Sequence, residues 1–213
     1  MEFPDHRLMV FAKAPIPGRV KTRLAGHLGA IGAARLYRRM LRETLEMAVA
    51  ARLCPVELWC APDRNHPFFR RCRRDPGVSL HTQRGADLGI RMDRAFRDVL
   101  GRARGALVIG GDCASVGLTE LRTGLQWLAS GAPAVLGPAE DGGYVLLGLD
   151  RPAPALFRGI PWSTPRVLAM TRQRLRVTGL DWRELPPGFD VDEPADYRRL
   201  CRLRAVQGKA SVV

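Results

Sequence analysis

Short apolar runs alternate along this chain with longer stretches in which apolar residues recur every three or four positions. The runs at 7–12 (RLMVFA), 56–62 (VELWCAP), 78–83 (VSLHTQ), 106–112 (ALVIGGD), 133–139 (PAVLGPA) and 144–150 (YVLLGLD) read as strands, with a weaker one at 182–186 (WRELP). Helical periodicity covers about 30–53, 66–74, 87–103, 118–130, 164–178 and 193–206. In the first of these, Leu36, Met40, Leu41, Leu45 and Ala48 form one face with Arg35, Arg38, Arg39 and Arg42 around it, so the apolar side packs on a sheet. Thr119 and Thr164 stand where hydroxyl caps belong, the second before Pro165, and Asp192 precedes Glu193-Pro194 in the same manner.

Strands alternating with helices predict an α/β fold with a mainly parallel sheet and helices on both faces. Only four residues separate the runs 133–139 and 144–150, too few for a parallel crossover, so one of that pair is expected to run antiparallel and the sheet to be mixed. No repeat or linker divides the chain. The expectation is one domain over 1–206 and a loose tail at 207–213.

With 213 residues, 46% of them hydrophobic, the chain has enough material for one sizeable core. No apolar run approaches membrane-spanning length, and the first residues lack a basic leader followed by an apolar core; a cytoplasmic protein is expected. The five cysteines (Cys54, Cys60, Cys72, Cys113, Cys201) are scattered without metal-ligand spacing, so reduced thiols are expected. A formal charge of +13 raises the question of nucleic acid, but the arginines are spread over most helices, with no basic tail, aromatic platform or helix-turn-helix. Solvated arginine-rich helix faces are the better reading, and no specific nucleic-acid partner is expected.

The distribution of lysine changes the picture. There are three, Lys13, Lys21 and Lys209, and two fall in the loop that follows the first strand, FAKAPIPGRVKTRL. In an open α/β sheet, ligands bind beyond the carboxyl ends of the strands. That loop, through Ala12, Lys13, Pro15, Gly18, Arg19, Lys21 and Arg23, is the candidate phosphate-binding segment. It is not a Walker loop. Two further segments bring carboxylates to the same edge: Asp112 at the end of ALVIGGD, and Asp190 and Asp192 in FDVDEP. Hard carboxylate oxygens suit Mg²⁺ or Mn²⁺, with substrate phosphate completing the shell. Asp141 in AEDGGY, beside Gly142 and Gly143, is a candidate general base at the mouth of the site or a hairpin-turn residue. Gln83 and Gly85 are placed to meet a base or ribose, with Asp87 either beside them or capping the next helix. Gly142, Gly143, Tyr144, Trp162 and Ser163 mark an acceptor region, although Trp162 also suits a core position.

The segments FAKAPIPGRVKTRLAGHLG, ADLGIRMDRAF, VIGGDCASVGLTEL, GPAEDGGYVLLGL, PWSTPRVLAMTRQRL and LPPGFDVDEPADYRRL span nearly the whole chain, in order. Together they resemble a bacterial family of the nucleotide-diphospho-sugar transferase superfamily, some members of which are known as arsenosugar-biosynthesis-type glycosyltransferases. The resemblance implies a GT-A type three-layer sandwich, a nucleotide-sugar donor and a divalent cation. One position departs from the family pattern: Ala114 follows Asp112-Cys113 where relatives carry proline. A glycosyltransferase is therefore expected, moving sugar from a nucleotide-sugar to a small-molecule acceptor. Its diphosphate would be held by Lys13, Lys21 and Arg23, its metal by Asp112 and Asp192, and its acceptor activated by Asp141. The alternative is a nucleotidyltransferase releasing pyrophosphate from a nucleoside triphosphate.

Overall fold

The first apolar run, flanked by polar residues and free of glycine and proline, forms strand β1 (His6–Lys13), whose Met9 and Val10 are fully buried on opposite faces. A computed structural model describes residues 1–206 and Gly208. After β1 come a short 3-10 turn (Thr22–Leu24), helix α1 (Ala25–Ala50), β2 (Val56–Ala61), α2 (Pro67–Arg74), β3 (Ser79–Thr82), α3 (Leu88–Leu100) and β4 (Gly105–Gly110). The chain continues with α4 (Leu118–Ala129), β5 (Ala134–Pro138), β6 (Tyr144–Leu149), α5 (Val167–Val177), β7 (Trp182–Glu184) and α6 (Pro194–Val206). The expected tail at 207–213 lies, except for Gly208, outside the described residues.

The strands form one sheet in the order β3-β2-β1-β4-β6-β5-β7. The pairs β1–β2, β1–β4, β2–β3 and β5–β7 are parallel, and β6 alone runs antiparallel between β4 and β5. The tight connection between β5 and β6 forces that reversal. Alternation along β1 divides the core: Leu8, Val10 and Ala12 pack with α1, α2 and α4, whereas Met9 packs with α3 and α5. The result is the expected single-domain sandwich of helix, mixed sheet and helix.

A third cluster positions the site. Leu36 and Met40 of α1 pack with Leu24, with Tyr197 and Leu200 of α6, and with Phe189 and Val191 of the segment before α6. The last helix therefore lies against the first, and the segment before it runs beside the end of β5 and the loop after β4.

Several local signals act differently from the sequence expectation. The first helix begins at Ala25 rather than near residue 30, with a break at Gly29 (φ 69°, ψ 159°) that glycine tolerates. Gly117 is the N-cap of α4, and its amide is held by Glu120, not by a threonine hydroxyl. Helix α5 starts at Val167, two residues beyond Pro165. Thr164 is occupied in a turn, donating to the Pro161 carbonyl at 2.7 Å. At α6, Pro194 is the first helical residue as read from sequence, but Asp196, not Asp192, accepts from the amides of Asp192 and Glu193. The Asp192 carboxylate is thereby left for other work.

Candidate active site

The carboxyl ends of β1 and β4 and the segment before α6 enclose a cleft of about 560 Å³. Ala12, Lys13, Arg19, Lys21 and Arg23 line it from the opening loop, Asp112 from the end of β4, and Asp190 and Asp192 from the far end of the chain. Asp141, Gly143, Tyr144, Trp162 and Ser163 form the opposite wall, and Gln83 part of the floor. Pro15, Gly18, Gly85, Asp87 and Gly142 do not reach the wall; they shape the loops that do. Gly18 turns with φ 77°, and Asp87 caps α3 by accepting from the Ile90 amide at 2.8 Å.

At the floor, the Lys21 ammonium sits 2.6 Å from an Asp112 oxygen and 2.7 Å from an Asp192 oxygen. Lys21 has left-handed backbone geometry (φ 48°, ψ 43°), which aims its side chain inward from the loop, and that side chain is only 3% exposed. Burial alone would pull its ammonium pKa down. The two carboxylates more than reverse this and hold it above the usual lysine value. Asp190 lies behind this pair. Burial, reinforced by the Asp112 charge, lifts its carboxyl to about 7, and its Oδ1 has no hydrogen-bond partner among the described residues. Among the described residues no group of three or more His, Cys, Asp or Glu has the arrangement of a metal centre. The positive charge between Asp112 and Asp192 is that of Lys21.

The other cations of the loop line the cleft without joining this cluster. Arg23 approaches Glu193 at 3.8 Å, and Lys13 and Arg19 have no carboxylate partner among the described residues. The backbone amide of Lys13 donates to the Tyr37 hydroxyl at 2.9 Å, which ties the loop to α1; burial pushes the Tyr37 phenol up, so it stays neutral. Gln83 is buried and donates to the carbonyls of Ala12 and Trp59 at 3.2 and 2.8 Å. What it can offer a ligand is its acceptor oxygen.

Two close approaches build the opposite wall. Gly142 (φ 85°) lies so near the 164–168 segment that an added Cβ would stand 2.2 Å from the Pro165 carbonyl oxygen, and the Leu168 amide donates to the Gly142 carbonyl at 2.8 Å. Gly89, at the start of α3, lets Trp162 cross the helix: a Cβ there would be 2.6 Å from the Trp162 indole nitrogen. Trp162 meets Tyr144 edge to face at 6.4 Å, and Tyr144 donates to the Met92 sulfur at 3.7 Å. Trp162 is thus both packed and cleft-facing. Asp141 sits in the hairpin turn at the rim of the cleft. Its Oδ1 accepts from the Gly143 amide at 2.9 Å, a turn contact, while the exposed carboxylate stands at the rim.

Sequence reasoning missed the clasp that holds the floor together. Ser115 Oγ accepts from the Phe189 amide at 2.8 Å and donates to the Phe189 carbonyl at 3.0 Å, which fastens the Asp112 loop to the Asp190–Asp192 segment. Gly188 is required beneath it, since a Cβ would meet Ser115 Oγ at 2.4 Å. In this chain the turn that lacks proline at Ala114 is therefore held by tertiary hydrogen bonds. Tyr37 was also missed, being one residue among several on the buried face of α1. The two-residue offset from Asp112-Cys113 to Ser115 carried no signal of its own.

Comparison with known proteins supports the same architecture. A crystal structure of a candidate nucleotide-diphospho-sugar transferase from Desulfovibrio desulfuricans G20 is 29% identical, with a TM-score of 0.86 over 94% of this chain and 88% of that one. A nucleotidyl transferase from Methanothermobacter (Mth528) shares the fold at 13% identity, with a TM-score of 0.63 over 97% of this chain and all of the other. Rv0371c from Mycobacterium tuberculosis H37Rv, in complex with manganese, shares it at 19% identity, with a TM-score of 0.53 over 92% and 97% of the two chains. No curated protein matches the chain. Among the described residues no helix is long and apolar enough to cross a membrane. A family model matches residues 44–164, more than half of the sequence. The chain belongs to that family, DUF2064, described as uncharacterized proteins conserved in bacteria.

Proposed function

We propose that this cleft transfers a sugar from a nucleotide-sugar donor to the hydroxyl of a small-molecule acceptor. One observation carries the reading: a basic loop and three carboxylates, drawn from the start, middle and end of the chain, converge on one cleft around the Lys21 ammonium. The likeness to the Desulfovibrio protein supports it.

Lys13, Arg19 and Arg23 stand at the rim, where their cations hold a diphosphate by charge-assisted hydrogen bonds. Breaking the bond between the anomeric carbon and the phosphate oxygen leaves an electron pair on the departing diphosphate. Fixed cations aimed at that oxygen lower the barrier because they need no reorganisation as the charge develops. Asp141, exposed at the opposite rim, takes the proton of the acceptor hydroxyl as its oxygen bonds to the anomeric carbon. Trp162 and Tyr144 give the acceptor an apolar, water-excluding wall, and the Gln83 oxygen accepts from the base or ribose.

The residues at the floor fit a hard divalent cation, Mg²⁺ or Mn²⁺. Asp190 carries an unpartnered buried oxygen, and the donor set is entirely carboxylate. Asp112 and Asp192 would hold the ion, with Asp190 behind them. Such a cation supplies a Lewis acid for the phosphate oxygens. With the ion held there, Lys21 would be available to the phosphates instead of the carboxylates.

A second reading, transfer of a nucleotidyl group with release of pyrophosphate, is favoured by the fold shared with nucleotidyl transferases. The products separate the two. Incubation with a panel of nucleotide-sugars and Mn²⁺ should release nucleoside diphosphate. Pyrophosphate released from a nucleoside triphosphate and a sugar phosphate, with no turnover of any nucleotide-sugar, would replace the first reading by the second.

A further inference from the structure

A second cationic concavity lies on the outer side of α1. Arg35, Arg38, Arg39 and Arg42 fall at positions i, i+3, i+4 and i+7, one continuous stripe about 10 Å long on a single helix face. Together with Phe68, Arg71, Cys72 and Asp75 of α2 and its C-terminal end they line a groove of about 260 Å³. The stripe is turned away from the cleft, which α1 meets through Tyr37.

Arginines three and four residues apart on one helix face repel one another. On α3 and just beyond it two arginines are relieved by a carboxylate one turn earlier: Arg97 pairs with Asp93, and Arg102 with Asp98. Along the stripe the helix offers carboxylates only toward its far end. Glu43 pairs with Arg39, and Glu46 and Asp75 pair with Arg42. Arg35, Arg38 and Arg71 have no carboxylate partner among the described residues, and all three are exposed. Among the described residues, five guanidinium groups thus face three carboxylates, with Arg35, Arg38 and Arg71 in a concave, partly apolar groove. The planar guanidinium matches phosphate oxygens in a bidentate manner, and several of them converging favour a ligand with more than one phosphate. Concavity and small size favour a compact polyanion over the extended backbone of a nucleic acid.

We propose that the groove between α1 and α2 is a second anion site, taking a short chain of linked phosphates, distinct from the cleft at the sheet edge. It does not depend on the transferase reading. Inorganic triphosphate titrated into the full chain by calorimetry should bind. Arg35→Gln/Arg38→Gln/Arg71→Gln should weaken one binding event by roughly tenfold or more, the scale of losing one charge-assisted hydrogen bond. A cleft variant, Lys13→Gln/Arg19→Gln, should leave that event in place. A control of equal charge change at remote exposed positions, Arg94→Gln/Arg158→Gln/Arg202→Gln, should also leave it in place. A nucleoside triphosphate that binds the groove more tightly than inorganic triphosphate would identify a nucleotide as the source of the phosphates, with Phe68 beside its base. The proposal is overturned if the groove variant binds like the parent, if the remote control loses as much affinity, or if the cleft variant abolishes all triphosphate binding. All three variants alter exposed side chains; thermal melts of each, matched to the parent, keep a loss of binding separate from a loss of fold.

Discussion

Lys21 and Asp192 are 171 residues apart in the chain and joined by a 2.7 Å hydrogen bond at the floor of the cleft. The ammonium also contacts Asp112, so a nearly inaccessible cation stands among carboxylates that would otherwise repel one another.

Replacing Lys21 should therefore act in two opposite directions. Lys21→Met should weaken nucleotide binding by about 1.5–3 kcal/mol, the value of a hydrogen bond to a charged group. It should tighten Mn²⁺ binding, because the competing ammonium is gone. Calorimetric titrations of nucleoside diphosphate and of Mn²⁺ on the same variant check both; a variant that loses affinity for Mn²⁺ would show that Lys21 does not compete for the carboxylates.

Asp190 predicts a pH dependence. Its carboxyl is raised from 3.8 to about 7 in the folded chain, chiefly by burial. The folded state then binds a proton that the unfolded state has released, so this contribution is fully present below the ordinary carboxylate value and fades as pH rises through about 7. Stability from this group should fall across that window by up to about 1.4 kcal/mol per pH unit. Urea denaturation at several pH values should show the slope in the parent and its absence in Asp190→Asn.

Lys21 has the opposite window. Its folded pKa is raised, so the stabilisation it contributes is complete below the ordinary lysine value of 10.5 and is lost only in strongly alkaline solution. In an Asp190→Asn background, which removes the carboxyl that Lys21 also holds down, chains with and without Lys21→Met should therefore differ in denaturation midpoint by a constant amount between neutrality and pH ~9.

Ser115→Ala removes both hydrogen bonds to Phe189 and leaves a partly buried amide unpaired. A loss of about 1–3 kcal/mol is expected. Because the clasp fixes the relative position of the Asp112 and Asp192 loops, divalent-cation affinity should fall as well, read as a smaller Mn²⁺-induced rise in melting temperature.

Gly89→Ala tests the opposite wall. The methyl group would displace Trp162 or strain α3, at about 1–3 kcal/mol. On the proposed function, acceptor KM should rise while the affinity for nucleoside diphosphate is unchanged. Equal losses of donor and acceptor binding would place Trp162 outside acceptor recognition.

Much of the architecture is legible in local patterns. The apolar runs, the helical periodicity of Leu36, Met40, Leu41 and Leu45, and the short step from β5 to β6 predict the elements and the mixed sheet. Each depends on residues within a few positions of one another. The concentration of lysine in the loop after β1 likewise marks the segment that lines the cleft. Local chemistry misled at helix ends, where Thr164 and Asp192 resemble caps. Competing partners decided there: the Pro161 carbonyl takes the hydroxyl of one, and Asp196 takes over the capping work of the other.

The order of apolar and polar residues by itself determined the strands, the helices and the residue types carried to the sheet's carboxyl edge, because periodicity and strand-loop-helix succession are short-range properties. Tertiary structure alone decided that Lys21 meets Asp112 and Asp192, that Ser115 fastens Phe189, and that Gly89 admits Trp162. These contacts join residues far apart in the chain and exist only once α6 packs on α1 and the 160–168 segment folds over α3. Their free energy comes from burying apolar surface that no single element can bury alone.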